Sequence, residues 1–285
     1  MRINILAKNV GIGNQFQFMP HALALAKNHD VTCDSDFFCE LTGIKPMKSI
    51  KADWHIVVFG YDELKVWKAR VTHRGQFMGF KYRIKGIHCG IGFDRGLRLD
   101  ESISEVENND RILRYFGIIR KEFSIDRQPS RPKDYILLCP SGKIGKELPI
   151  ELWYNIVMQL ESKGHQVKIV DNNIFNSHYQ STPTISDLAD VIQGAKVFIG
   201  VDSGPMHLAD ILKVPMVVIF GPTSAVKNGP QNEAKIIKAC GGNCYNWSRY
   251  KCPIDFRCYE NIEAQDVIHE VERLIEYKKQ SHIIA

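Results

Sequence analysis

One stretch, residues 197–223, constrains the fold more than any other part of the chain. An apolar run at 197–201 is broken by a polar turn at 202–204, and a segment with helical apolar spacing leads to a second apolar run at 214–220. Short β-branched runs are typical of strands buried on both faces of a parallel sheet. Pro205 suits the first position of a helix. The stretch therefore predicts a strand, a tight turn, a helix and a second, parallel strand.

The turn after the first of these strands is the predicted ligand site. Open α/β sheets bind ligands beyond the carboxyl ends of their strands, and the free N–H groups that begin a helix favour an anion. Gly204 allows a close backbone approach, Ser203 offers a hydroxyl donor, and His207 lies one turn further on. The alternative is that Asp202 and Ser203 only cap the helix and that His207 is a surface residue.

The residues of this stretch also carry a family resemblance. The segment Gly-Val-Asp-Ser-Gly-Pro-Met-His-Leu-Ala-Asp at 200–210, followed by Pro215 and by Phe-Gly-Pro-Thr at 220–223, closely resembles the carboxyl-domain signature of glycosyltransferase family 9. That family contains the ADP-heptose heptosyltransferases of lipopolysaccharide assembly. The resemblance implies an α/β chain of the GT-B type, with two Rossmann-like lobes facing a central cleft. It also implies direct displacement at the anomeric carbon with inversion, and no metal required for the chemistry.

Length and composition agree with a two-domain globular protein. The chain has 285 residues, of which 44% are hydrophobic and 24% charged, and both fractions are ordinary for a soluble protein. No apolar run reaches the length of a membrane span, and the amino terminus enters a strand pattern at once, so we expect no signal peptide and a cytoplasmic location. Residues 127–134 have linker composition. We therefore expect an acceptor-binding domain at 1–130 and a nucleotide-sugar-binding domain at 131–285.

The first domain starts with a β-α alternation. A strand at 2–7 precedes a glycine-rich turn at 8–14 and a helical pattern that contains Pro20, so the helix either begins at Pro20 or is kinked there. In the family this turn carries an aspartate that is taken as the base for the acceptor hydroxyl. Gly11 and Gly13 match the family turn, but Asn14 stands at the aspartate position.

Asn14 puts the expected base in question. An amide cannot take a proton at neutral pH, although it can still hydrogen-bond a substrate. Four other side chains are candidates for a replacement base, and the sequence does not choose among them: His21, Asp62, Glu63 and Asp94.

Residues 65–98 are the most unevenly charged part of the chain. They hold nine lysines and arginines against the single acid Asp94, with aromatic residues and histidines between them and several glycines. We expect a loop-rich region. It is either a solvated face or a surface for a polyanionic acceptor, such as a phosphorylated glycan or DNA, with Lys81, Arg83 and Lys85 as the predicted contacts.

The second domain is predicted to hold the donor. A buried strand at 135–140 ends in a polar, basic turn at 141–146 that precedes a helix, which suits a diphosphate. The family resemblance assigns Ser141 and Lys146 to the donor phosphates. Asp171 follows the next strand and is the candidate partner of a ribose hydroxyl.

Four cysteines crowd into nineteen residues near the carboxyl end. Four thiolates in this space can hold a structural zinc or iron ion. The spacings lack the Cys-x-x-Cys pairs of common zinc modules, so reduced thiols or a local bridge are the alternative. The four are Cys240, Cys244, Cys252 and Cys258.

These observations predict an inverting, metal-independent glycosyltransferase. The donor implied by the family is ADP-heptose, and the acceptor is a hydroxyl of an anionic, lipopolysaccharide-like surface glycan. The donor contacts are expected to come from Asp202, Ser203, Gly204 and His207, together with Ser141, Lys146 and Asp171. One alternative is a glycosyltransferase that acts on modified bases of DNA. The other is a catalytically silent nucleotide-sugar-binding protein that has lost its base.

Overall fold

The computed structural model divides the chain into two compact units, residues 1–127 and 128–285. The residues described are 1–8, 10–60, 62–84, 87–89, 92–127, 134–142, 146–170, 176–239 and 257–284. Side chains are described for these residues except at 63, 82–84, 87–89, 176, 257, 258, 278, 279 and 281–284.

The first unit is a seven-stranded, mostly parallel sheet with helices. Its strands are β1 (Arg2–Leu6), β2 (Asp30–Cys33), β3 (Lys45–Pro46), β4 (Lys51–Val57), β5 (Arg74–Ile84), β6 (Ile87–Cys89) and β7 (Arg95–Arg98). Its helices are α1 (Ile12–Ala26), α2 (Asp36–Thr42), α3 (Glu63–Thr72) and α4 (Glu105–Tyr115). The strand order is β3-β2-β1-β4-β5-β6, with β7 also paired to β5. The pair β5–β6 is antiparallel. The alternation of strands and helices gives this unit a Rossmann-like arrangement.

Helix α1 begins well before Pro20. Its start at Ile12 places Pro20 inside the helix, among buried neighbours that include Met19 and His21. The alternative that the helix begins at Pro20 is therefore wrong. A buried helix face tolerates proline because tertiary packing offsets the lost backbone hydrogen bond.

The basic stretch 65–98 is more regular than its composition predicts. It forms most of α3 and the strands β5, β6 and β7, and β5 alone has 11 residues. The expectation of a loop-rich region was wrong because several glycines lie within strand pairs. Gly79, for example, pairs with Gly96 between β5 and β7. Gly75 has φ of +143°, and its missing side chain makes room for the carbonyl of Ala52.

The second unit is a five-stranded sheet in which every described pair of strands is parallel. Its strands are β8 (Tyr135–Cys139), β9 (Gln166–Ile169), β10 (Ala195–Val201), β11 (Met216–Phe220) and β12 (Ala234–Lys238). Its α-helices are α5 (Ile150–Ser162), α6 (Ile185–Gln193), α7 (Gly204–Ile211), α8 (Ala225–Asn228) and α9 (Ala264–Ile284). The strand order is β12-β11-β10-β8-β9. The predicted strand–turn–helix–strand unit is thus β10, α7 and β11.

The core of the second unit lies between the sheet and helices α5 and α9. Trp153 and Leu160 of α5 meet Val267 and Val271 of α9 in one buried apolar cluster with the central strands. The turns beyond the carboxyl edge of this sheet lie where open α/β sheets bind ligands. Within the described residues, no helix combines the length and the apolar character needed to cross a bilayer.

Candidate functional site

The strand register brings three turns of the second unit to one edge of its sheet. Gly200 of β10 pairs with Cys139 of β8, and Val201 pairs with Ile219 of β11. The residues that follow these strands therefore share the carboxyl edge of the sheet. They are Ser141 after β8, Asp202 to Gly204 after β10 and Thr223 after β11.

Lys146 and Asp202 form a buried ion pair at this edge. Lys146 Nζ donates to Asp202 Oδ2 at 2.7 Å and to the Asp202 carbonyl oxygen at 3.0 Å. Asn228 Nδ2 donates to the same Oδ2 at 3.3 Å, and His207 Nε2 lies 3.7 Å from Oδ1. The Asp202 side chain is only 4% exposed. The sequence thus predicted four residues that the fold places around one carboxylate or directly beside it: Lys146, Asp202, Ser203 and His207.

The charge state of this cluster follows from burial and from Lys146. Burial acts to raise the pKa of Asp202, but the Lys146 ammonium outweighs it and holds that pKa below its ordinary value. Burial lowers the pKa of His207 to about 4, although Asp202 opposes this shift. His207 is therefore neutral near pH 7, and Lys146 is the cation that keeps Asp202 ionised.

Two buried hydroxyl groups at this edge have no hydrogen-bond partner among the described residues. They are Ser203 Oγ and Thr223 Oγ1. Ser203 occupies the N-cap position of α7, but its side chain makes no capping bond, so the alternative that it only caps the helix is wrong. The Thr223 hydroxyl helps to lower the pKa of Asp202, although its geometry falls short of a hydrogen bond. Unpaired buried hydroxyls are uncommon and call for a partner.

The β8 turn packs tightly against this cluster. A methyl group added at Gly142 would lie 3.0 Å from Val201 Cγ2 and 3.1 Å from Lys146 Cβ. Glycine at 142 therefore lets Lys146 approach the end of β10. Ser141 is exposed at the same edge.

Sequence reasoning missed Asn228 and Thr223. Thr223 belongs to the Phe-Gly-Pro-Thr segment after β11, and its position beyond the carboxyl end of a central strand was a usable signal. Asn228 lies at the end of the short helix α8, 26 positions from Asp202, and nothing local marks it.

Several predicted site residues lie outside the described part of the chain. These are Lys85, Asp171, Cys240, Cys244 and Cys252, together with the side chains of Arg83 and Cys258. Within the described ranges, no group of three or more histidine, cysteine or acidic side chains is placed to hold a metal ion. Cys33, Cys39 and Cys139 are buried cysteines with reduced thiols.

The turn between β1 and α1 in the first unit contains the family base position. Gly11 is the N-cap of α1, and Gly13 and Asn14 lie in its first turn. Asn14 Nδ2 donates to the Phe59 carbonyl oxygen at 2.9 Å. The bond ties the start of α1 to the segment that follows β4. Asn14 thus uses its amide as a donor, which an aspartate cannot do when ionised.

His21 is enclosed in a polar network between α1 and α4. Its Nδ1 lies 3.0 Å from the Gln17 carbonyl oxygen, and its Nε2 lies 3.0 Å from Asp110 Oδ1. Asp110 in turn accepts from Arg120 Nε at 2.9 Å. The ring is fully buried, and this burial lowers its pKa although Asp110 opposes the shift. These contacts favour a structural role for His21.

The other two described candidates for the base are also engaged. Asp94 forms a bidentate pair with Arg70 and accepts from Phe77 N at 2.7 Å, and the Arg70 contact holds the pKa of Asp94 low. Asp62 caps α3 by accepting from Leu64 N at 2.9 Å.

Sequence reasoning missed Asp34, a carboxylate beside the turn between β1 and α1. It follows β2, and its Oδ1 accepts from Ala7 N at 2.6 Å and Lys8 N at 2.8 Å, in the turn that leads to Asn14. Burial raises the pKa of Asp34 above its ordinary value. Asp34 belongs to the one Asp-x-Asp tripeptide of the chain, Asp34-Ser35-Asp36. Its position after the second strand of a Rossmann-like unit was the available signal.

The predicted acceptor contacts lie on or beside β5. Lys81 is exposed on β5, and its aliphatic chain covers Gly96 of β7. Arg83 lies on the same strand, opposite His88 of β6.

Comparison with known proteins relates this chain to one family. The family model for glycosyltransferase family 9 (heptosyltransferase) matches residues 182–255, which include β10, the turn at 202–204 and α7. Lipopolysaccharide heptosyltransferase 3 of Escherichia coli K12 is 36% identical over 239 residues, which cover 76% of this chain and 66% of that protein. The chain is thus similar to the heptosyltransferases of glycosyltransferase family 9.

Other relatives match a smaller share of this chain. Lipooligosaccharide heptosyltransferase 2 of Campylobacter jejuni serotype O:2 is 29% identical over 203 residues, 70% of this chain and 53% of that protein. The chain thus spans about half the length of the Campylobacter relatives that it matches.

Solved structures show the fold of this chain. The E. coli heptosyltransferase WaaC superposes with a TM-score of 0.73 at 15% identity, over 96% of this chain and all of that one. The fold is therefore the GT-B type. An iron-containing dodecameric glycosyltransferase from enterotoxigenic E. coli also superposes, with a TM-score of 0.67 at 14% identity, over 97% of this chain and 76% of that one.

Proposed function

We propose that the protein is an inverting glycosyltransferase whose second unit binds a nucleotide-diphosphate sugar at the turn 202–204. The observation that carries this proposal is the Lys146 ammonium, which Asp202 holds beside the amino terminus of α7 at the carboxyl edge of the sheet. A cation next to free helix N–H groups suits a diphosphate. The E. coli structure of WaaC was solved with ADP, and heptosyltransferases are among the relatives, which supports ADP-heptose as the donor.

In this proposal Asp202 positions Lys146 and does not touch the phosphates with its side chain. An ionised carboxylate only accepts hydrogen bonds, so it would repel a phosphate oxygen. The backbone N–H groups at the start of α7 and the Lys146 ammonium supply the positive potential. The Ser203 and Thr223 hydroxyls are donors that a phosphate oxygen would satisfy.

The proposed reaction forms a bond between the acceptor oxygen and the anomeric carbon while the bond from that carbon to the diphosphate breaks. The leaving nucleoside diphosphate carries the developing negative charge, which Lys146 and the α7 amino terminus stabilise. The acceptor proton passes to a carboxylate base of the first unit. No step requires a metal ion.

We propose Asp34 as that base. Its carboxylate contacts the turn that leads to Asn14, and burial raises its pKa, which makes it a better proton acceptor near neutral pH. Asp34→Asn keeps an oxygen that can accept from Ala7 N and Lys8 N, so the turn should remain intact. We expect kcat to fall by roughly 10²–10⁴ with ADP affinity unchanged.

Asp62→Asn is the matched control for the base, because it also keeps a capping acceptor. If Asp62→Asn abolishes turnover and Asp34→Asn does not, the assignment of Asp34 is wrong. That result would not contradict the proposed donor site.

Donor binding is tested by calorimetry with ADP and by incubation with a panel of labelled nucleotide sugars. Ser203→Ala and Thr223→Ala should each weaken ADP binding about tenfold, since each removes one hydrogen bond to a charged group. Ser181→Ala, an exposed serine away from the edge, should change nothing. Binding without transfer or hydrolysis of any donor would favour the silent binding protein instead. Absence of ADP binding would overturn the proposal.

The acceptor is proposed to be an anionic glycan of the lipopolysaccharide type, in keeping with the names of the curated relatives. Lys81, Arg83 and Lys85 remain the predicted contacts. DNA as the acceptor predicts salt-dependent DNA binding that falls when these three residues are neutralised. A structural iron or zinc ion at the four clustered cysteines remains a prediction, and metal analysis of untagged protein tests it. A cytoplasmic location also remains a prediction.

A further inference from the structure

Helix α3 of the first unit has apolar residues on two opposite faces. Val66 and Ala69 face inward and are 1% and 8% exposed. Leu64, Trp67 and Val71 lie on the outer face and are 81%, 49% and 84% exposed. Their spacing of three and four residues places them in one row along the helix. We call these three residues the α3 stripe.

Packing among the described residues of the unit does not account for the α3 stripe. Single exposed apolar residues are normal on protein surfaces, but a continuous row of large ones marks a binding surface. Trp67 packs partly against Gly92, since a methyl group added at Gly92 would lie 3.7 Å from the Trp67 ring. Leu64 and Val71 are almost fully exposed to solvent.

Exposed basic side chains lie near the α3 stripe. Lys65 and Lys68 are exposed on the same helix, and Arg74 is exposed just after it. The stretch 65–98 holds nine basic residues and one acid, Asp94, which is already paired with Arg70. Of the two acids at the helix start, Asp62 is engaged in the helix cap, and the side chain of Glu63 is not described. The surface of α3 therefore combines exposed apolar residues with exposed basic ones.

We propose that the α3 stripe docks this protein on an anionic phospholipid bilayer. Leucine and valine would enter the boundary of the acyl chains, tryptophan suits the interface itself, and the lysines can reach the lipid phosphates. Clustered basic residues next to a membrane-contacting helix bind anionic lipids.

Two other occupants fit these residues less well. A nucleic acid would stack on aromatic rings, but the exposed leucine and valine offer it neither stacking nor hydrogen bonds. A second copy of the chain would bring two sets of lysines together, and like charges at an interface oppose association. The bilayer satisfies both the apolar and the cationic residues. The proposal is independent of donor binding and catalysis, because it concerns only the surface of α3.

The test is flotation of the full chain with vesicles. Vesicles of phosphatidylcholine with phosphatidylglycerol should bind the protein, and vesicles of phosphatidylcholine alone should bind it at least tenfold more weakly. The double variant Leu64→Gln, Val71→Gln should bind the anionic vesicles at least tenfold more weakly than the native chain. Ile119→Gln is the matched control, because Ile119 is also 84% exposed and lies outside α3. It should bind like the native chain.

Further measurements separate docking from other effects. Both variants should keep the native melting temperature and ADP affinity, which shows that the fold is intact. Trp67 fluorescence should shift to the blue on binding, and Trp67→Phe should remove that shift. No binding to anionic vesicles, or equal binding by the double variant, overturns the proposal. Sedimentation that shows a dimer dissolved by the double variant would also overturn it, in favour of self-association.

Discussion

His207 shows how burial sets the chemistry of one residue. Its ring interacts with the Asp202 carboxylate and the Lys146 ammonium. Its pKa of about 4 reflects burial away from water more than the opposing effect of Asp202. A neutral imidazole at this position can donate or accept a hydrogen bond without adding charge. Lys146 is then the cation of the cluster, and the proposed donor site depends on it.

The pKa of His207 predicts a pH dependence of stability. Because the folded pKa of about 4 lies below the unfolded value of 6.5, the unfolded chain takes up the proton first as the pH falls. The free energy of unfolding should therefore decrease between pH 6.5 and pH 4, and His207 should account for about 2 kcal/mol of that decrease by pH 5. Urea unfolding at pH 7.5 and pH 5 measures it.

Two variants isolate the contribution of His207. His207→Gln should lose less stability between these pH values than the native chain, by about 2 kcal/mol. His269→Gln, at an exposed position on α9, should behave like the native chain. A decrease of the same size in His207→Gln would show that other groups cause it.

The hydrogen bond of Asn14 predicts that restoring the family aspartate at this position destabilises the protein. Asn14→Asp replaces the donor to the Phe59 carbonyl oxygen with an acceptor, so two oxygens would face each other. We expect the free energy of unfolding to fall by about 1–3 kcal/mol, and by about 1 kcal/mol for Asn14→Ala. Thermal unfolding at neutral pH measures both. Equal stability of native chain and Asn14→Asp would mean that the Asn14 bond does not stabilise the turn.

At the scale of elements, the donor edge depends on how closely the turns pack. Gly221 follows β11, and the ring of Tyr259 occupies the space that its side chain would fill. Tyr259 is itself buried and leads into α9. Tyr259 thus brings the segment that precedes α9 into contact with the edge of the sheet at Gly221.

This contact predicts that Gly221→Ala destabilises the second unit. The added methyl group would overlap the Tyr259 ring, and a buried ring cannot move without displacing its neighbours, so we expect a loss of about 1–3 kcal/mol. Gly92→Ala is the control, because its methyl group would make only ordinary contact with Trp67, and its effect should stay within about 0.5 kcal/mol. Chemical unfolding compares the two, and equal losses would contradict the proposed clash.

At the scale of the whole molecule, the described residues of the proposed donor site all belong to one unit. Lys146, Asp202, Ser203, His207 and Thr223 lie between residues 128 and 285, as does the core formed by α5 and α9. Each unit has its own sheet and helices. This organisation is typical of domains that fold independently.

The segment 128–285 should therefore fold alone and bind ADP. We expect a cooperative thermal transition and an ADP affinity within about tenfold of the full chain, a difference of about 1.4 kcal/mol. Circular dichroism and calorimetry measure these. Transfer of sugar should be absent, since the proposed base belongs to the first unit. A folded segment that fails to bind ADP would contradict the placement of the donor site.

The helix α3 and the glycine-containing strands show where sequence reasoning reached its limit. Apolar residues on both faces of α3 hide the amphipathic period on which helix prediction depends. Glycines in β5 and β7 mark turns by composition, yet here they allow close strand pairing. In contrast, the strand at 197–201 was predictable, because a short β-branched run that ends at a polar turn is typical of a fully buried parallel strand.

The sequence alone determined the two-unit α/β architecture, the strand–turn–helix at 197–211 and the grouping of Lys146, Asp202, Ser203 and His207 in the proposed donor site. Short-range periodicity and turn chemistry encode these features locally. Only the tertiary structure decided that Lys146 pairs with Asp202 and that Ser203 does not cap α7. It also decided that His21 is enclosed between α1 and α4, whereas the Asp34 carboxylate contacts the turn between β1 and α1. Such contacts join residues tens of positions apart, and strand register and burial fix them once the chain has folded.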